Sequence, residues 1–124
     1  MIELRLPLPP SVNQLYRAVP GKGVIKSARY RTWIQAAGWA LKEQRPKKVA
    51  GEYVLWLWCE RPDGRHRDLA NLVKALEDLL VTHGVVEDDS LCTAVHVYWQ
   101  GDGRECTVKV EPAIPARASI KKAA

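Results

Sequence analysis

At 124 residues the chain is long enough for one domain that buries its own core. With 47% hydrophobic and 27% charged residues it is not an intrinsically disordered segment. Nineteen Lys and Arg against fourteen Asp and Glu leave a net charge of +5, which favours an anionic partner, nucleic acid first among them, although charge alone fits a merely soluble basic domain equally well.

The N-terminal MIELRLPLPP has no signal-peptide core, and no run approaches the ~18 apolar residues of a membrane span, so a cytosolic protein without a membrane partner is expected. Cys59, Cys92 and Cys106 lack CxxC spacing, which argues against a zinc ribbon or a disulfide framework. Cys59 and Cys92 fall in apolar, strand-like runs and read as buried thiols.

In chain order, Ile2 to Leu6 alternates as a short strand ended by Pro7, Pro9 and Pro10. Ser11 to Lys26 reads as a mostly polar loop carrying Arg17, Lys22 and Lys26. Ser27 is a fair helix cap. After it Tyr30, Trp33, Ile34, Ala37 and Leu41 form one helical apolar stripe that Pro46 ends. Glu52 to Cys59 predicts a strand with Tyr53, Leu55, Leu57 and Cys59 on one face and Val54, Trp56 and Trp58 on the other. Two apolar faces imply a central strand or one covered by a partner subunit.

Arg61 to His66, with Pro62 and Gly64, predicts a turn. Asp68 to Thr82 is a second helix burying Leu69, Leu72, Val73, Leu76, Leu79 and Leu80, with Gly84 as its C-terminal cap. Leu91 to Trp99 and Glu105 to Val110 predict two strands of a hairpin around Gly101 to Gly103. The order is βαβαββ, an α+β (or α/β-like) domain with a small mixed sheet and two main helices. It spans residues 1–111, and a basic tail, 112–124 with Arg117, Lys121 and Lys122, is expected to be mobile.

The chemistry concentrates between Gly64 and Ser90. Asp68, Asn71 and Lys74 lie along the start of the second helix, and Glu87, Asp88 and Asp89 close the segment. A helix from Asp68 to Thr82 is roughly 21 Å long, and His83 to Asp89, if extended, runs back about 23 Å. Asp89 can therefore return toward Asp68. Asp68 is equally a plain helix cap, and the three acids an ordinary turn. If the acids converge, their repulsion needs a cation, and hard oxygen ligands suit Mg²⁺ or Mn²⁺ acting on a phosphate. Lys74 could then steady developing negative charge, and Arg65 and Arg67 could hold flanking phosphates. Lys22, Lys26 and Arg29 are candidates for further DNA contacts. His66, His83 and His96 are scattered; His96, in a strand, reads as structural, and His66 could touch phosphate. The order His66-Arg67-Asp68-Leu69 opens a protein-kinase catalytic loop, but the Asn follows too early and no Gly-rich loop exists.

The chain resembles the RusA family of Holliday-junction resolvases, often carried by phages and prophages. LPLPPSVNQLYR matches the family's PPSxNxxY pattern at Pro9, Pro10, Ser11, Asn13 and Tyr16. RDLANLVKALEDLL followed by GVVEDDS matches RDLDN, a Lys three residues after the Asn, and GxxxDD. The resemblance implies a Mg²⁺- or Mn²⁺-dependent endodeoxyribonuclease that resolves four-way junction DNA by paired nicks in recombination and repair. It implies carboxylates at Asp68, at position 70 and at Asp89, with Asp88 assisting, and a functional Lys74. It further implies a homodimer in the cytoplasm of a bacterium or phage-infected host.

Position 70 departs from the pattern: Ala70 stands where the family has aspartate, and a methyl group binds no metal. The intact motif around it favours a substitution made to disarm a junction-binding nuclease over a natural member of weak activity. On this reading the chain is catalytically impaired. A non-catalytic junction-binding protein, or a metal-dependent phosphodiesterase acting on another nucleic acid, are the alternatives.

Overall fold

A computed structural model describes residues 1–62 and 69–113. Its main sheet has four strands in the order β1 (Ile2–Pro7), β6 (Glu105–Pro112), β4 (Tyr53–Arg61), β5 (Cys92–Asp102). A separate two-stranded ribbon joins β2 (Tyr16–Val19) to β3 (Gly23–Lys26). The helices are α1 (Ala28–Gln44), after the ribbon, and α2 (Val73–Thr82), between β4 and β5. The class is α+β, as expected. No helix among the described residues is long and apolar enough to cross a membrane.

The alternation in β4 decides the layering. Tyr53, Leu55, Leu57 and Cys59 are all fully buried on one face. Leu4 and Leu6 of β1 and Cys106, Val108 and Val110 of β6 join them. The helices cover this face through Tyr30, Trp33, Ala37 and Leu41 of α1 and Ala75, Leu76, Leu79 and Leu80 of α2. Deleting one such side chain costs about 2–5 kcal/mol, because its neighbours collapse only partly into the space. The opposite face of β4 carries Val54, Trp56 and Trp58, which are only half-buried.

Both cap expectations hold. Ser27 Oγ accepts the Tyr30 N–H at 3.1 Å and starts α1. Arg45, left-handed at φ 48°, ends it just before Pro46. At the end of α2, Gly84 has φ 70° and donates its N–H to Val81 O, while Val85 donates to Leu80 O at 2.9 Å. This pair of bonds satisfies two helix-end carbonyls and reverses the chain.

Three expectations are corrected. The polar stretch from Ser11 to Lys26 is not simply a loop, since it holds a short 3₁₀ turn (Val12–Gln14) and the β2–β3 ribbon. Pro20 and Gly21, the latter at φ 76°, turn the ribbon with Lys22 N bonded to Val19 O at 3.0 Å. Exposed four-residue strands carry almost no apolar alternation, so the pattern hid them. The predicted hairpin of the last two strands does not form either. β5 pairs with β4 in parallel and β6 pairs with β4 antiparallel, so β4 lies between them. A strand apolar on both faces is best used at the centre, and it takes a neighbour on each edge. Finally, the second helix opens as a 3₁₀ turn, Leu69–Leu72, before α2 begins. β6 also runs through Pro112, and Ala113 N bonds to Glu52 O at 2.9 Å.

Edge strand β1 is closed from outside. The Gln44 side chain of α1 accepts the Arg5 N–H at 2.8 Å and donates to the Arg5 carbonyl at 2.7 Å. The Arg5 groups that could recruit a foreign strand are thereby occupied.

Candidate active site

The site is built where the chain returns along α2. Past Gly84, Val49 donates to Val85 O at 2.8 Å and Val49 bridges Val86, which fixes the return segment beside the loop before β4. Glu87 is a tether here: its Oε1 accepts the Gly51 N–H at 3.4 Å. Asp88 is extended, and the Ser90 hydroxyl donates to its Oδ2, holding the Asp88 carboxyl below the usual carboxylate range. Asp89 opens the 3₁₀ turn Asp89–Leu91, which packs on α2 and feeds β5.

The acidic segment comes back along α2, while Asp68, toward which the return was expected, lies outside the described residues. The Asp89 charge acts on Lys74 and Glu77 of α2 and on Tyr53 of β4. Lys74 Nζ lies 3.2 Å from Asp78 Oδ1, one helical turn on, and this bond and charge hold the ammonium above its ordinary pKa. Glu77 accepts the Tyr53 hydroxyl at 2.7 Å. Burial pushes the Glu77 carboxyl up and the Tyr53 bond opposes it, while Asp89 and Asp78 add to the rise. Burial, then the Glu77 hydrogen bond, pushes the Tyr53 phenol strongly up.

Between α1, α2 and the ribbon lies a cavity of about 320 Å³, lined among others by Tyr16, Lys26, Tyr30, Asp78, Asp88 and Asp89. The Tyr16 and Tyr30 rings meet edge to face at 5.9 Å, and Lys26 Nζ lies 6.0 Å from the Tyr30 ring. Burial, and next the Asp78 charge, raises the Tyr30 phenol above its ordinary value. Lys26 is thus at the acidic site, Lys22 stands at the exposed ribbon turn, and Arg29 is exposed in the first turn of α1. Ala70 is exposed in the Leu69–Leu72 turn and Asn71 is half-buried beside it. The Val12–Gln14 turn, which carries Asn13, packs on the same turn.

Asp68, Arg65, Arg67 and His66 lie outside the described residues, as do the tail residues Arg117, Lys121 and Lys122. Among the described residues no three His, Cys, Asp or Glu side chains form a metal-holding group. Two other histidines have structural surroundings. His96 stacks on Trp56 at 3.9 Å between ring centres, and His83 packs on α1 at Gly38.

Residues 7–111 match the family model described as Endodeoxyribonuclease RusA. The chain belongs to the RusA family. It is 34% identical over 93 residues to a crossover junction endodeoxyribonuclease RusA of Aquifex aeolicus (strain VF5), covering 74% of this chain and 72% of that protein. It is 33% identical over 96 residues to the crossover junction endodeoxyribonuclease RusA of Enterobacteria phage 82, covering 70% and 72%. Membership makes this an endodeoxyribonuclease fold, and the RusA match spans both the Val12–Gln14 turn and the acidic return. Asp78 and Glu77 were not singled out by the sequence reading, nor was Tyr16 given a role. The available signal for Asp78 was its i,i+4 spacing from Lys74.

Proposed function

We propose that the chain is a Holliday-junction resolvase of the RusA type, disarmed at one position. The observation that supports this best is the return of Asp88 and Asp89 onto the α2 face carrying Lys74, with Lys26 at the same cavity. Carboxylates beside Lys74 and Lys26, in a family of endodeoxyribonucleases, suit the chemistry of a phosphodiester.

Asp89 and Asp88, with Asp68, would hold Mg²⁺ or Mn²⁺, since every donor is a carboxylate oxygen. A bound ion of this kind supplies an activated water and charge stabilisation at the phosphate. Lys74, kept protonated by Asp78, would neutralise charge on the leaving oxygen. Arg65, Arg67, Asn71, Lys22, Lys26 and Arg29 would grip flanking phosphates. Ala70 removes one carboxylate from the set, so nicking by this chain is weak or absent.

A four-way junction is two-fold symmetric and its resolution needs two cuts, which a C2 homodimer with two sites supplies. The open sheet face suits that contact. There Trp56, Trp58 and Tyr98 stack with ring centres 6.0–6.5 Å apart. Charged groups border them, since Lys109 Nζ lies 5.7 Å from the Trp56 ring centre and Glu111 accepts the Trp56 indole N–H at 2.7 Å. A cytoplasmic enzyme of recombination and repair, in a bacterium or in a phage-infected cell, fits this reading.

Restoring the missing carboxylate is the decisive test. The Ala70→Asp variant should nick a four-way junction with Mg²⁺, at a rate at least a hundredfold above the chain with Ala70, on the order of the contribution of one essential charge-stabilising group. An Ala70→Asp protein that binds junctions yet never nicks them would favour the second reading, a non-catalytic junction binder, for which Ala70 itself is the motive. Equal competition by plain duplex would favour a phosphodiesterase of another nucleic acid.

A further inference from the structure

We propose that the cavity beside Asp88 and Asp89 receives one unstacked nucleobase of the DNA held at those carboxylates. The inference rests on the junction-nuclease reading and names a contact that reading does not require. Exposure separates a floor from a rim. Tyr30 and Trp33 are 3% and 6% exposed and form the floor, whereas Tyr16 is 46% exposed and stands at the rim. Thr82, Lys26 and the two aspartates are exposed around it. At about 320 Å³ the space is at the small end of ligand sites, which run from roughly 300 Å³ upward. It suits one flat ring system and not a helix or a peptide strand.

Charge selects which part of DNA enters. Asp78, Asp88 and Asp89 border the cavity against one cation among the described residues, Lys26, so on balance a phosphate not bridged by a metal ion is repelled. A deoxyribose offers the tyrosine rings only a small, puckered C–H face. A base is neutral, presents a π-face to Tyr16, and carries ring or amine N–H groups for the Asp78 carboxylate and acceptors for the Thr82 hydroxyl. Removing a base from its stack costs less where stacking is already interrupted, and the point of strand exchange of an open four-way junction, where four helices end although every base stays paired, is such a place. The cavity thus gives a role to the ribbon residues Tyr16 and Lys26 that line it opposite α2.

The test uses the full chain and four-way junctions carrying a single abasic nucleotide, moved one step at a time through the crossover. Binding is read by anisotropy. Stacking of one base on an aromatic ring supports roughly a tenfold loss at one abasic position and little at the others. Tyr16→Ala should weaken intact junctions by a similar factor and make that position indifferent, while Tyr16→Trp should restore both. Thr82→Tyr, which fills the cavity from an exposed helix end, should likewise abolish the abasic effect, and thermal melts of each variant report folding separately. Junction binding that is indifferent to every abasic position overturns the pocket and leaves the nuclease reading standing. Losses from Tyr16→Ala and from the abasic site that multiply also overturn it. No preference for junction over duplex removes the junction reading and the pocket with it.

Discussion

Glu77 shows how one residue of the site works against the fold. Its carboxyl is half-buried and raised above 4.5, by burial first, against the Tyr53 hydrogen bond. A folded-state pKa above the unfolded value means the folded protein holds the proton more tightly. The associated stability is present below about pH 4.5 and is lost as pH rises through the raised value. Glu77→Gln keeps an acceptor for Tyr53 and removes the buried charge. It should raise Tm at pH 7, with the gain vanishing toward pH 4; an equal or lower Tm at pH 7 would count against this account. Such a residue was invisible in the sequence because burial, not spacing, makes it unusual. That the acids after Gly84 could come back along the helix was legible because helix length and return distance are arithmetic, whereas the roles expected of Asp88, Asp89 and Lys74, and the oddity of Ala70, came from the family's pattern.

At the scale of elements, the reversal at Gly84 carries the site. Its φ of 70° places a residue in the left-handed region, where any side chain costs roughly 1–2 kcal/mol. Gly84→Ala should therefore lower the urea midpoint by an equivalent amount and weaken the metal and DNA binding proposed above for Asp89 along with it. A variant as stable as the native chain would show that the return does not depend on this turn. The Gly84 cap, both helices and the central strand were readable because each has a strong local signal: an apolar period, a cap, or alternation. The ribbon was not, since the Val19-Pro20-Gly21-Lys22 turn lies between strands with no buried face. The placement of β6 was not readable either. Neighbours in sequence usually pair, and only the competition for the two edges of β4 decides otherwise.

For the whole molecule, the dimer proposed above predicts a particle of twice 13.9 kDa at micromolar concentration. Trp58→Glu on the open sheet face should reduce it to a monomer by light scattering while leaving the helix-covered core intact. A native chain that is already monomeric would remove the dimer. The same sheet has a consequence for how the protein is made. β6 inserts between β1 and β4, joining Leu4 to Val108 and Leu57 to Val108 across its two edges. A ribosome that has released everything up to β5 has produced two apolar strands with an empty slot between them. Until the last strand emerges, that slot is open to other chains, and a chaperone that shields it should raise the soluble yield.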